Sequence, residues 1–207
     1  MKEEQDYIRN LADIRSMMER SSKFLSLSGW AGIMAGIYAL AGAAIAWKVF
    51  DFNPGETVSS NQSERFPPAL PDLVFLALII LVLSVTTAAF LSSKKANKKG
   101  ENVWNPATRR LLVNMAVPLI AGGLLILILI SKGLISLIAP ISLLFYGLAL
   151  YNASKFTYEE VKTLGLIQIT LGLISSWFVD YGLLFWALGF GLVHIIYGIY
   201  MHYRYER

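Results

Sequence analysis

Five polar residues stand in otherwise apolar stretches and are the chain's candidates for chemistry: Asn114, Tyr146, Gln168, His194 and Tyr197. His194 is the member that titrates near neutral pH, so it can relay protons or orient a bound molecule. Asn114 and Gln168 each carry donors and an acceptor, and the tyrosines add hydroxyls on rigid rings. Together they describe a polar ligand-binding pocket in apolar surroundings. The plainer reading of the same residues is hydrogen bonding across helix interfaces, because an unsatisfied polar group in an apolar phase is expensive. The sequence leaves both readings open. No catalytic set accompanies the five, since paired carboxylates, HExxH and GxSxG are all missing from the apolar stretches. The chain has no cysteine, which removes disulfides, thiolate metal sites and Cys nucleophiles. Two histidines, His194 and His202, lie eight residues apart and cannot share a metal, so neither metal nor cofactor is expected.

Composition dictates what positions these residues. Of 207 residues, 56 % are hydrophobic and 15 % charged, whereas a soluble domain carries about 25 % charge. The charge is missing from whole stretches, as a bilayer requires. Six apolar runs, at about 27–48, 70–92, 110–131, 134–152, 160–179 and 182–202, reach the roughly 20 residues that cross a hydrocarbon core. The expected fold is all-α: a polytopic transmembrane helical bundle of six spans arranged as three hairpins. Small residues mark its packing faces, with Gly32 and Gly36 in the first run, Gly165 and Gly172 in the fifth, and Gly191 and Gly198 in the sixth. In lipid, such faces hold helices together by close backbone approach. Gln168 lies between Gly165 and Gly172, and His194 between Gly191 and Gly198, so both are expected to point into the bundle. Pro118 and Pro140 fall inside the third and fourth runs, where each can kink its helix. Asp180 fits a turn, and Asp72 a helix N-terminus.

Charge sets the orientation. Lys2, Arg9, Arg15, Arg20 and Lys23 precede the first run, and Lys94, Lys95, Lys98, Lys99, Arg109 and Arg110 follow the second. Lys155, Lys162, Arg204 and Arg207 fall on the same side, leaving only Lys48, Arg65 and Lys132 opposite. The positive-inside rule then places both termini in the cytoplasm. The net charge of +4 follows from this flanking pattern, and no nucleic-acid partner is expected. Lys94, Lys95, Lys98 and Lys99 can attract anionic lipid at about 1 kcal/mol per charge. Residues 1–26 read as a cytosolic amphipathic helix, with Tyr7, Leu11, Ile14, Met18 and Leu25 on one seam. Such a seam lies on a membrane or bundle surface, or pairs with a second protomer or a cytosolic partner.

A weak repeat links the second and third hairpins through Gly122 and Gly172, then through Tyr146-Gly147 and Tyr197-Gly198. Two further stretches carry a family resemblance. Arg20-Ser21-Ser22-Lys23-Phe24-Leu25-Ser26-Leu27-Ser28-Gly29 resembles the opening of a family of bacterial multi-pass inner-membrane proteins with no established activity. Tyr181-Gly182-Leu183-Leu184-Phe185-Trp186-Ala187-Leu188-Gly189-Phe190-Gly191, continuing to His194 and Tyr197-Gly198, is similar to the same family. The resemblance implies multi-pass topology and a bacterial inner membrane, and it brings no catalytic residues.

Overall fold

The computed structural model describes residues 23–52, 69–98, 100 and 102–206. These form an all-α bundle, and the described residues contain no strand. Five helices are long and apolar enough to cross a membrane: α1 (Gly29–Lys48), α2 (Leu70–Lys98), α3 (Pro106–Ser131), α4 (Ile135–Phe156) and α6 (Val179–Tyr205). Between the last two lies α5 (Glu160–Trp177), whose 18 residues span about 27 Å. At 18 residues it has no longer apolar stretch to offset Glu160, Lys162 and Gln168, so it is less apolar than the other five.

Local chemistry explains where the helix ends depart from the apolar runs. The second helix continues to Lys98, six residues past the expected end, because Ser92 to Lys98 contains no breaker and Gly100 (φ +67°) ends the turn. The third begins at Pro106, four residues early. Asn105 accepts the Thr108 amide at 2.8 Å, and Pro106 fills a first-turn position that needs no N–H. For the same reason Pro140 does not kink α4: it lies in the first turn of the α-helical part, Ile138–Ala153. Pro118 is the one proline in a described helix interior. Most of the expected helix over 1–26 lies outside the described residues, but residues 23–28 are not helical. Phe24 instead donates its amide to the Phe156 carbonyl at 2.7 Å.

Neighbouring helices run antiparallel and approach closely at glycines. A Cβ on Gly147 of α4 would lie 2.7 Å from the Gly165 carbonyl of α5, and one on Gly165 would lie 2.8 Å from Gly147. Gly172 meets Pro140 and Leu144 at the other end of the same pair, so α5 lies along nearly all of α4. Gly29, Gly32 and Gly36 of α1 meet Gly198, His194 and Gly191 of α6 in the same manner. Gly122 faces Phe145 on the following helix, whereas Gly172 faces the preceding one, so the suggested repeat has no common contact there.

This packing leaves α2 and α3 at the periphery. Only Leu70, Ser92 and Ala96 of α2 are buried, while Phe75, Leu78, Val82 and Val85 are exposed, as are Val113, Val117 and Ile120 of α3. Water would penalise such a surface, and acyl chains would not. Antiparallel order also gathers Lys94, Lys95, Lys98, Arg109, Arg110, Lys155, Lys162 and Arg204 at one end of the bundle. Among the described residues, the opposite end has only Lys48 and Lys132.

Candidate functional site

Three of the five candidate residues meet. Gln168 on α5 and His194 on α6 both reach the carbonyl of Gly189, and Tyr146 on α4 reaches His194. That carbonyl belongs to the π-helical stretch Ala187–Val193, a wide turn that interrupts α6. It accepts the Gln168 amide at 2.7 Å and His194 Nδ1–H at 2.8 Å. With Nδ1 donating, neutral His194 keeps Nε2 as an acceptor, and the Tyr146 hydroxyl donates to it at 2.9 Å. The His194 ring lies parallel to Phe190, with centroids 5.9 Å apart, and Trp186 follows Phe190 at 5.1 Å. Gln168 is wholly buried, and its Oε1 has no hydrogen-bond partner. A Cβ on Gly189 would come within 2.6 Å of that oxygen, so the close fit depends on glycine there.

The other two candidates make no hydrogen bond to this trio, although Tyr197 and Tyr146 pack against one apolar cluster. Asn114 donates back to the Arg110 carbonyl of its own helix at 2.8 Å and makes no hydrogen bond to the trio. An amide one turn above a helical carbonyl has this local alternative, and spacing alone does not reveal which is taken. Tyr197 packs against the cluster of Leu150, Tyr158, Val161, Leu164 and Met201. Of the five candidate residues, hydrogen bonds therefore join Tyr146, Gln168 and His194 in one buried centre. Among the described residues no three His, Asp or Glu side chains converge, so no metal-binding donor set is present there.

A second polar centre occupies the basic end. The Glu206 carboxylate accepts the Gly29 amide at 2.9 Å, Lys95 Nζ at 3.0 Å and His202 Nδ1–H at 2.8 Å. It thereby caps the first turn of α1, where Ser28 supplies no side-chain cap. Lys95 also donates to the Leu27 carbonyl at 2.6 Å and lies over the Tyr158 ring. The Tyr158 hydroxyl bonds the Leu25 carbonyl, and Thr157 Oγ1 bonds that of Phe24 at 2.8 Å. Nearby, Glu160 accepts the Tyr205 hydroxyl at 2.7 Å and pairs with Arg204 at 3.3 Å. Residues 24–28 are thus fastened to α2, to the α4–α5 link and to the end of α6.

From the sequence, Lys95 reads as an orienting charge and an anionic-lipid contact, and Glu206 has no assigned role. One signal was present: an acid beside the C-terminal end of a helix opposes the dipole, so something outside that helix must stabilise it. Burial raises the Glu206 pKa, but bonds from His202, Gly29 and Lys95 outweigh it and hold the carboxyl at about 2. A carboxyl depressed from an ordinary 4.5 stabilises the fold fully above pH 4.5 and loses that contribution as pH falls towards about 2. Acid denaturation of purified protein in this window should be less steep for Glu206→Gln than for wild type. Identical acid profiles would show that the carboxylate contributes nothing to stability.

Fold and sites together define the class as an all-α membrane protein with two buried or half-buried polar centres between its helices. No family model matches the chain, and neither a curated protein nor a solved structure does so.

Proposed function

We propose that the chain is a non-enzymatic membrane protein, structural or regulatory, that crosses a bacterial inner membrane six times and presents a cytosolic docking surface. The gathering of basic side chains at one end of the bundle carries this reading, because the positive-inside rule makes that end cytoplasmic. The extended contact of α5 with α4 supports six crossings, and the family resemblance of residues 20–29 and 181–198 supports the inner membrane. The basic end also holds residues 24–28 in a fixed path.

The absence of native cysteine permits a direct test. A membrane-impermeant maleimide applied to intact cells should label Lys132→Cys and Asp180→Cys and should miss Arg109→Cys until the membrane is opened. Labelling of Arg109→Cys from outside would invert the orientation. Deleting residues 2–21 should remove a co-purifying cytosolic partner while Lys132→Cys still labels. A truncated protein that retains every partner would overturn the docking role.

The unpartnered Gln168 oxygen favours a second reading, a small-molecule transporter, channel or ligand sensor using the Tyr146–Gln168–His194 centre. π-Helical turns recur at functional sites, and this one supplies the carbonyl at the centre of the cluster. Ligand binding that disappears in both Gln168→Ala and His194→Ala, with folding intact, would put this reading first.

A further inference from the structure

Helices α1 and α2 are in contact at Gly42 and Ile80, and the Tyr38 and Thr87 hydroxyls join at 3.3 Å. Towards the basic end they part, leaving a groove of about 500 Å³ lined by Trp30, Met34, Thr86, Thr87, Phe90 and Leu91. Lys95 closes the top of this groove by reaching the Leu27 carbonyl, so the opening is lateral, towards the bilayer. Lys94 and Lys98 follow Leu91 at the three- and seven-residue steps that keep a helix face, and both are exposed. Their Cα atoms lie roughly 6 and 12 Å beyond Phe90 along the helix axis. Neither makes an ion pair with another described residue, whereas the charge of Lys95 is met by Glu206.

We propose that this groove holds one acyl chain of an anionic phospholipid, with its headgroup phosphate on Lys94 and Lys98. An apolar cleft that opens sideways and ends one and two turns below two cations with no ion-pair partner among the described residues matches the order of groups in such a lipid. A zwitterionic lipid fits the cleft, but its own ammonium offsets the phosphate that meets the cations, and a soluble anion leaves the cleft unfilled. The proposal rests on the membrane reading above but not on orientation, because in symmetric vesicles both leaflets offer the same lipid.

Trp30 lines the groove and is half exposed, which makes it the reporter. Replacing Trp47, Trp104, Trp177 and Trp186 by Phe leaves Trp30 alone. The variant is reconstituted in vesicles containing equal mole fractions of brominated phosphatidylglycerol or brominated phosphatidylcholine. Quenching of Trp30 should need an about tenfold lower fraction of the anionic lipid, and Lys94→Gln with Lys98→Gln should abolish the preference. The double variant should melt with the parent, because neither lysine holds an ion-pair partner among the described residues. Equal quenching by both lipids overturns the proposal. So does a preference that appears only after residues 2–21 are deleted, since the chain's own N-terminal segment would then occupy the groove. A variant retaining only Trp177, exposed at the opposite end, reports insertion itself. Unquenched Trp177 refutes the membrane reading, whereas quenched Trp177 without lipid preference at Trp30 refutes the groove site alone.

Discussion

Gly147→Val should unfold or strongly destabilise the bundle, while Gly123→Ala should leave its melting temperature unchanged or slightly higher. Both glycines lie inside apolar helices, and only their surroundings differ. A Cβ at Gly147 meets the Gly165 carbonyl and the Ile169 amide at 2.7 Å, and backbone cannot turn aside as a flexible side chain can. A Cβ at Gly123 meets nothing within 4 Å. Forcing α4 and α5 apart costs about 3 kcal/mol by analogy with overpacked cores, or roughly 10 °C in a chain of this size. At Gly123 the gain in helix propensity is at most about 1 kcal/mol. Melting of the two variants in one detergent decides the matter. Equal behaviour would mean that the α4–α5 contact is not what holds the bundle.

The second large effect belongs to the buried polar lock. His194→Ala removes the acceptor for Tyr146, one of the two side-chain donors to Gly189, and a ring packed on Phe190. An emptied ring site together with a stranded hydroxyl should cost about 3 kcal/mol. Gln168→Leu is milder, because it removes the Gly189 donor and the unpartnered Oε1 together. The two side chains share one carbonyl, so their effects should not add, and a coupling near 1 kcal/mol is expected in a double-mutant cycle. Simple additivity would mean that the shared carbonyl transmits nothing between them.

Particular residues explain how far the sequence was legible. Apolar length and the placement of Lys and Arg announced the helices and the basic end, because a bilayer acts on whole runs and tolerates little ambiguity. Gly165 and Gly172 flanked Gln168, and Gly191 and Gly198 flanked His194, so both polar side chains could be aimed inward from spacing alone. Their meeting on Gly189 could not be foreseen, since it depends on a π-helical turn that has no sequence signature here. Asn114 had two acceptable uses for its amide and took the local one. Glu206 was out of reach for a different reason: the helix it caps begins 177 residues earlier in the chain. Long-range capping of this kind exists only once α1 and α6 have packed.

We propose that Tyr146, Gln168 and His194 form a structural lock and not a ligand site. The most direct test is a thermal-shift screen of wild type and His194→Ala, purified in one detergent, against metabolites, lipids and ions. The account predicts a lower melting temperature for the variant under every condition, with no compound shifting wild type through this centre. A compound that stabilises wild type alone, on a variant that otherwise melts with it, would contradict the claim and make the trio a binding site.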